Sequence, residues 1–248
     1  AAQAAPVVRT LQAQIRAGPV LHVDETGWRQ DGRNGYAWTF STAQERVFVH
    51  GGRDKGVLTE VLGDAYEGVL VSDFYAAYTG YTGRHQYCWA HLLRDVDELA
   101  AAHQADAGVV GWADGVHTRY QQAKTLAAAA VDPATRRQQR QQCEAALLAL
   151  CAPSLGVAEA PQRVLCERME RHLGELFVFV EDPTVPSTNN AAERSLRHLV
   201  TSRKISGGTR SASGTATKLT LASLFGTWRA QGLNPLVECR ALLAAPQL

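Results

Sequence analysis

The chain has little net charge, no paired-cysteine motif and no long apolar run. Its formal charge over 248 residues is +1, so bulk charge selects no partner, and any surface for a polyanion has to be local. The five cysteines are an odd number without a C-x-x-C among them. Cys143, Cys151, Cys166 and Cys239 sit singly in segments of helical spacing, which argues against a secreted disulfide scaffold and for a reducing cytoplasm. Residues 1–18 show no basic start followed by an apolar block, so no signal peptide is expected. The longest helix-like apolar run, residues 126–131, falls far short of the roughly 20 residues of a membrane span. The composition is otherwise ordinary and globular, 46% hydrophobic and 20% charged, with enough chain for a sizeable core.

Apolar periodicity gives the element order. Val8, Leu11 and Ile15 recur at helical spacing, and Gly18 stops that helix. Val20-Leu21-His22-Val23-Asp24 reads as a strand. After the turn chemistry of residues 32–35, Tyr36, Trp38 and Phe40 alternate as on one face of a second strand, and residues 46–50 form a third. Val57, Leu58, Val61 and Leu62 make a helical face. Val69-Leu70-Val71-Ser72-Asp73 then has the apolar run of a buried parallel strand. A small helix around residues 75–78 and a fifth strand at 84–89 follow.

From about 91 to 177 the signals are helical and are punctuated by Pro133, Pro153 and Pro161. Pro183 and Pro186 close that stretch. Ser187-Thr188-Asn189 then offers N-cap candidates for a helix striped by Ala192, Leu196 and Leu199. Residues 206–215 read as a Gly/Ser/Thr loop, and Leu221, Leu224, Phe225 and Trp228 as a further helix. The order predicts an α/β fold, a mixed sheet with flanking helices and a helical insertion, which is the ribonuclease H-like order. The expected division is an N-terminal helix at 1–19, a core at 20–235 interrupted at about 91–177, and a C-terminal helix or tail at 236–248. A fold of this kind does not by itself give a function.

Three acids stand out by placement. Asp24 ends the first strand and Asp73 the fourth, so neighbouring strands would project both carboxylates from one sheet edge. Glu193 lies on the helix beyond the insertion. Three converging carboxylates offer hard oxygen ligands for two divalent cations. Taken singly, an Asp after a strand is ordinarily a turn former or cap, and a helical Glu a solvated residue. Asp54, Asp64 and Glu67 have no such placement and read as surface.

The stretches around these acids carry a resemblance. Leu21-His22-Val23-Asp24-Glu25-Thr26-Gly27-Trp28 resembles the first acidic motif of transposases of the insertion sequence 66 family. Val71-Ser72-Asp73-Phe74-Tyr75-Ala76-Ala77-Tyr78 is similar to their second. The third runs from Thr188-Asn189-Asn190-Ala191-Ala192-Glu193-Arg194 through Arg203-Lys204-Ile205-Ser206-Gly207-Gly208, and His85-Gln86-Tyr87-Cys88-Trp89-Ala90-His91 also matches. The likeness covers most of 20–235 and is weakest in the insertion. Phe74 stands where a glycine is common, and the family's N-terminal zinc-binding and DNA-end-recognition region is not found in this sequence, which makes the chain a fragment or a shortened product on this expectation.

The resemblance implies a DDE transposase that cleaves DNA and transfers the cut strand. Asp24, Asp73 and Glu193 would hold two Mg²⁺ ions, with Mn²⁺ able to substitute, and Asp24 would bridge both. His91 and Asn190 would support the site. The implied partners are transposon-end and target DNA and further copies of the chain, with no membrane, in a bacterial cytoplasm near the nucleoid. A hydrolysis-only nuclease of the same fold and a non-autonomous DNA-binding remnant remain as alternatives.

Two further features bear on this. Residues 187–218 carry Arg194, Arg197, Arg203, Lys204, Arg210 and Lys218 against the single acid Glu193, which suits sequence-neutral contact with DNA phosphates. A solvated face is the plain alternative, and Glu193 with Arg197 also forms an i, i+4 pair. Cys88 and His91 lack a second ligand pair at zinc spacing. They read as a packed cysteine at a strand end and a histidine at a helix start.

Overall fold

The computed structural model describes residues 4–63, 66–79 and 81–244. The chain opens with α1 (Ala5–Ala17), β1 (Val20–Gly27), β2 (Tyr36–Ser41), β3 (Arg46–Gly51), α2 (Gly56–Leu62), β4 (Val69–Ser72) and α3 (Ala76–Thr79). It continues through β5 (His85–Tyr87), α4 (Trp89–Ala102), α5 (Ala107–Ala128), α6 (Pro133–Cys151), α7 (Arg163–Arg171), α8 (Leu173–Leu176) and α9 (Val178–Glu181). It closes with α10 (Asn190–Ser206), α11 (Ala212–Ala230) and α12 (Pro235–Ala244). Two compact units result. One holds the chain up to Arg84 and from Asn189 onward; the other is His85–Thr188. The fold class is α/β, with a mixed sheet flanked by helices, consistent with the ribonuclease H-like order read from the sequence.

In the first unit the strands lie in the order β3-β2-β1-β4. β1 pairs antiparallel with β2 and parallel with β4, and β2 pairs antiparallel with β3. The tight β1–β2 connection needs left-handed backbone at Asp31 (φ 49°) and Gly32 (φ 74°), which Gly tolerates without strain and Asp better than most residues. Strand alternation then divides the side chains. Leu21 and Val23 of β1, Trp38 and Phe40 of β2, Val47 of β3 and Leu70 of β4 share one core with Leu11 and Ile15 of α1 and Leu58 and Val61 of α2. Each such buried side chain contributes about 1.5–3 kcal/mol.

The opposite face holds a smaller core of Trp28, Ala37, Phe48, Leu196, Leu199 and Leu219 beneath α10 and α11. The Tyr36–Trp38–Phe40 alternation had suggested a strand with one buried face. β2 is instead buried on both faces from Ala37 to Ser41, because α10 covers the positions between the aromatic ones.

The second unit is mainly helical. Asp106 caps α5 by accepting from the Gly108 and Val109 amides, and Asp132 caps α6 from Ala134 and Thr135, each satisfying N–H groups that the first helical turn leaves unbonded. Its core is aromatic: Trp89 stacks on Tyr120 at 4.9 Å and meets Phe177 at 5.3 Å. Trp89 Nε1 donates to the Leu176 carbonyl at 2.6 Å.

Several boundaries differ from the sequence expectation. The fifth strand is only His85–Tyr87, and Trp89 already begins α4, its amide donating to the Ser187 carbonyl. The expected loop at 206–215 shrinks to the residues between α10 and α11: Ser206 is still helical, and Thr215 is buried inside α11. Asp54 and Glu67 are exposed. Asp64, and residues 245–248 of the C-terminal segment, lie outside the described residues.

Candidate active site

Strand register brings two of the acids together. Val20, Leu21 and His22 of β1 face the β4 residues 49 positions later, Val69, Leu70 and Val71. Two residues beyond the last pair, His22 and Val71, come Asp24, still within β1, and Asp73, just past the end of β4. The two carboxyls are near enough for the charge of Asp73 to raise the pKa of Asp24. Asp73 has left the strand, and its Oδ1 accepts from the Tyr75 amide at 3.0 Å, which shapes the turn after β4. Asp24 Oδ1 accepts from the Glu25 amide at 2.8 Å.

Glu193 belongs to the first turn of α10, where the helix macrodipole favours an anion, and α10 packs on β1 and β2. Burial, then the charges of Asp73 and Glu25 and, more weakly, Glu193, push the Asp24 carboxyl up to about 7. The three acids thus share one field within the first unit. Their oxygens are not all within 4.8 Å of one another, so they form an open set and not a closed cage for one ion. A set of hard oxygen donors whose like charges repel fits divalent cations, which would relieve that repulsion.

Adjacent Glu25 belongs to the other sheet face, as strand alternation requires. Its carboxylate accepts from Arg53 Nε at 2.9 Å and from the Tyr78 hydroxyl at 2.6 Å, and it is only 3% exposed. The Arg53 guanidinium in turn lies 4.0 Å from the Tyr75 ring centre. Glu25 is therefore held as a structural acid behind the strand that presents Asp24.

A second layer lies beneath Asp24. His22 precedes it by two residues and shares its face; Asn189 precedes Glu193 by one helical turn. Ser187, Thr188 and Asn189 were the expected caps, and Asn189 does occupy the N-cap position of α10, but its side chain makes no capping bond. Instead its Nδ2 donates to the Val23 carbonyl at 2.7 Å, and its Oδ1 lies 3.0 Å from His22 Nδ1. With the amide oriented by Val23, Oδ1 is an acceptor and His22 Nδ1 must carry the proton. Burial, together with Arg46 and Arg194, lowers the His22 pKa and keeps the ring neutral despite that bond. Alongside, Ser41 Oγ donates to Ser195 Oγ at 3.2 Å. His22 and Ser195 were not singled out from sequence, and Asn189 only as a cap candidate; the available signal was their spacing, two and four residues from the acids.

The basic residues separate into occupied and open ones. Arg203 Nη1 donates to Thr26 Oγ1 at 2.9 Å and to the Gly27 carbonyl at 2.7 Å, tying the last turn of α10 to the end of β1. Lys218 Nζ bonds Ser202 Oγ and lies 5.1 Å from the Trp28 ring centre. Arg194, Arg197, Lys204 and Arg210 are exposed. Arg210 and Arg29 flank a pocket of about 230 Å³ beside Gly207 and Gly208. Gly208 (φ 123°) is required there, since a Cβ would sit 2.1 Å from the Arg29 carbonyl oxygen. Asn190 is exposed at the start of α10 while Asn189 beside it is buried. His91 lies in the first turn of α4, after the buried Cys88, in the second unit.

Residues 1–217 match the family described as "Transposase IS66 family". "Uncharacterized protein y4jO" of Sinorhizobium fredii is 41% identical over 70 residues, a stretch that makes up 28% of this chain and 22% of that protein's length.

Proposed function

The chain belongs to the IS66 family of transposases, and we propose that it cleaves DNA and transfers the cut strand at Asp24, Asp73 and Glu193. The observation that supports this reading is the shared register of β1 and β4, which ends at His22 and Val71, two residues before Asp24 and Asp73, together with the Asn189 bond to Val23 one turn before Glu193. Three acids distant in sequence would thereby flank one sheet edge.

Asp24, Asp73 and Glu193 would hold two Mg²⁺ ions, or Mn²⁺ in their place. Bound there, such ions would supply activation of an attacking oxygen and stabilisation of a leaving one. In the first step a water oxygen bonds to a DNA phosphorus and the P–O3′ bond breaks, leaving a 5′-phosphate and a free 3′-hydroxyl. In the second, that 3′-oxygen bonds to a phosphorus of target DNA and displaces another 3′-oxygen, which takes up the proton. No protein atom bonds to phosphorus, so no Ser, Tyr or Cys nucleophile is involved. Arg194, Arg197, Lys204 and Arg210 would contact the DNA backbone directly. Arg203 and Lys218 would contribute charge from positions already bonded to the protein. Joining brings DNA ends to one target, so the proposed active complex contains more than one copy of the chain, with Asn190 as a supporting residue of the site. No helix among the described residues is long and apolar enough to cross a membrane.

The test uses DNA carrying the element's ends, supplied both intact and pre-cut. Wild type with Mg²⁺ is expected to nick the intact substrate and to join the pre-cut one, and Asp24→Asn to do neither while keeping its circular dichroism. Nicking without joining would reduce the reading to a nuclease. Undiminished activity in Asp24→Asn would overturn it.

A further inference from the structure

A groove of about 280 Å³ on the first unit lies between β3, α10 and α11, along a different side of α10 from the one that packs on β1. Arg46 of β3, Arg194 and His198 of α10, and Arg229 of α11 line it, with Gly226 between them. No Asp or Glu lines it. Arg194 and Arg229 are exposed, and neither guanidinium has a hydrogen-bond or salt-bridge partner among the described residues.

The groove is built and not merely a place where arginines fall. β3 is the edge strand of the sheet, and an uncovered edge leaves backbone groups unpaired. Here α11 satisfies them: Thr227 Oγ1 accepts from the Arg46 amide at 2.9 Å and donates to its carbonyl at 3.2 Å, and Ser223 Oγ accepts from the Phe48 amide at 2.9 Å. Such close approach requires a bare helix surface, and a Cβ on Gly226 would meet Arg46 Cβ at 3.1 Å and Cγ at 3.2 Å. Arg46 Nη1 donates to the Thr42 and Glu45 carbonyls, which fixes the guanidinium and leaves its other nitrogens open. His198 stands edge-on to Phe48 at 5.3 Å.

Electrostatics point the same way. Burial and the charge of Arg194 lower the Arg46 pKa, against Glu45. Burial, with Arg229 and Lys218, lowers that of His198. Cations that repel one another in a half-buried groove without a lining acid are completed by an anion, and the planar guanidinium fork matches phosphate oxygens.

Resting on the transposase reading, we infer that Arg46, Arg194 and Arg229 clamp the phosphodiester backbone of duplex DNA in this groove, separately from the segment at 203–210. The groove is open, with Arg194 and Arg229 on facing walls, which suits a continuous backbone better than an enclosed small anion. Arg194 follows Glu193 directly on α10, where the rise per residue is about 1.5 Å. Successive helix residues are also turned by about 100°, so a backbone held there passes along the side of α10 next to the one that carries Glu193.

The experiment measures duplex-DNA affinity by fluorescence anisotropy across a salt series in EDTA, where no cleavage occurs. The proteins are wild type, Arg194→Ala/Arg229→Ala, and Arg229→Glu. Because these two side chains have no hydrogen-bond or salt-bridge partner among the described residues, circular dichroism should not change and Tm should not fall. Each lost phosphate contact flattens the log–log salt slope by about 0.9, so the double variant should flatten it by about 1.8 and weaken binding at least tenfold at low salt, and Arg229→Glu should weaken it further than the loss of one contact. An unchanged slope with Kd within twofold of wild type would overturn the proposal. So would competition by inorganic phosphate at millimolar concentration that vanishes in the variants while duplex affinity stays, since that marks a free-anion site. A wild type that cleaves while the variants keep its slope removes the groove and leaves the catalytic reading. A wild type that never cleaves while the variants lose DNA does the reverse.

Discussion

His22 and Asn189, 167 residues apart in the chain, are joined by a buried hydrogen bond of 3.0 Å between Nδ1 and Oδ1. The same amide donates to the carbonyl of Val23, so one side chain clamps the start of α10 onto β1 immediately before Asp24. The clamp holds the start of α10 against β1 four residues before Glu193.

Replacing Asn189 by Ala should therefore weaken both stability and activity. It leaves the His22 N–H and the Val23 carbonyl buried without this partner, a loss on the order of 1–3 kcal/mol for the pair once water re-enters. Chemical denaturation should show a loss of about 1–3 kcal/mol in total, and Mg²⁺-dependent nicking should fall by more than tenfold. Asn189→Ala with wild-type denaturation and nicking would mean that α10 is positioned by its apolar stripe alone.

Asp24→Asn should stabilise the metal-free protein while abolishing its response to cations. The Asp24 carboxyl titrates at about 7 because of burial and neighbouring acids, well above the ordinary 3.8. In the unfolded chain the group ionises first, so stability falls as pH rises from about 4 to 7 and stays low above that. At pH 8 the amide removes the repelled charge, and Tm should rise by roughly 3–8 °C. Added Mg²⁺ should raise the Tm of wild type but not of the variant. Equal Mg²⁺ shifts in both proteins would place the cation elsewhere.

Arg203 and its neighbour Lys204 should separate cleanly. Arg203 is bonded to Thr26 and Gly27, so Arg203→Ala should destabilise the protein by about 1–2 kcal/mol. Lys204→Ala with Arg210→Ala should leave denaturation unchanged and flatten the salt slope of DNA binding by about 1.8. A double variant with the wild-type slope would mark Lys204 and Arg210 as a solvated face.

The second unit should lose stability in acid through His85. Burial, with the nearby charge of His172, holds the His85 pKa down to about 3, and its ring lies 4.1 Å from that of Tyr87. A depressed histidine is neutral in the fold while the unfolded chain binds a proton below about 6.5. Stability is thus full above that pH and falls by up to about 1.4 kcal/mol per pH unit down to about 3. His85→Asn should lower stability at pH 7 through lost packing, yet show a shallower decline between pH 6 and 4. Parallel declines in the two proteins would assign the acid sensitivity to other groups.

The strand pattern of β1 and β4 and the helical stripe Ala192–Leu196–Leu199 were legible because alternation and the 3.6-residue period are local properties. The ends of elements were not. Cys88 and Trp89 look like a continuing strand, yet Trp89 turns into α4 once its indole finds the Leu176 carbonyl and the Tyr120 ring. Thr215 looks like loop chemistry, yet it is buried in α11, where its hydroxyl bonds with that of Thr209 and donates to the Ser211 carbonyl. Among Ser187, Thr188 and Asn189, local chemistry does not distinguish a cap from a clamp; the polar groups of β1 that Asn189 finds make the distinction.

Asp24 and Glu25 project to opposite sheet faces because successive strand residues must, and Asn189 and Glu193 share one side of α10 because four residues make about one helical turn. These relations were contained in the chain. The alignment of Asp24 with Asp73 was not, since it depends on which residue of β1 pairs with which of β4, and a slip of one position would turn every side chain of one strand to the other face. The tertiary structure chose the 49-residue offset by burying Leu21 and Leu70 in one core. It likewise set α10 over β1 through bonds to His22 and Val23, partners more than 160 residues away that no local pattern specifies.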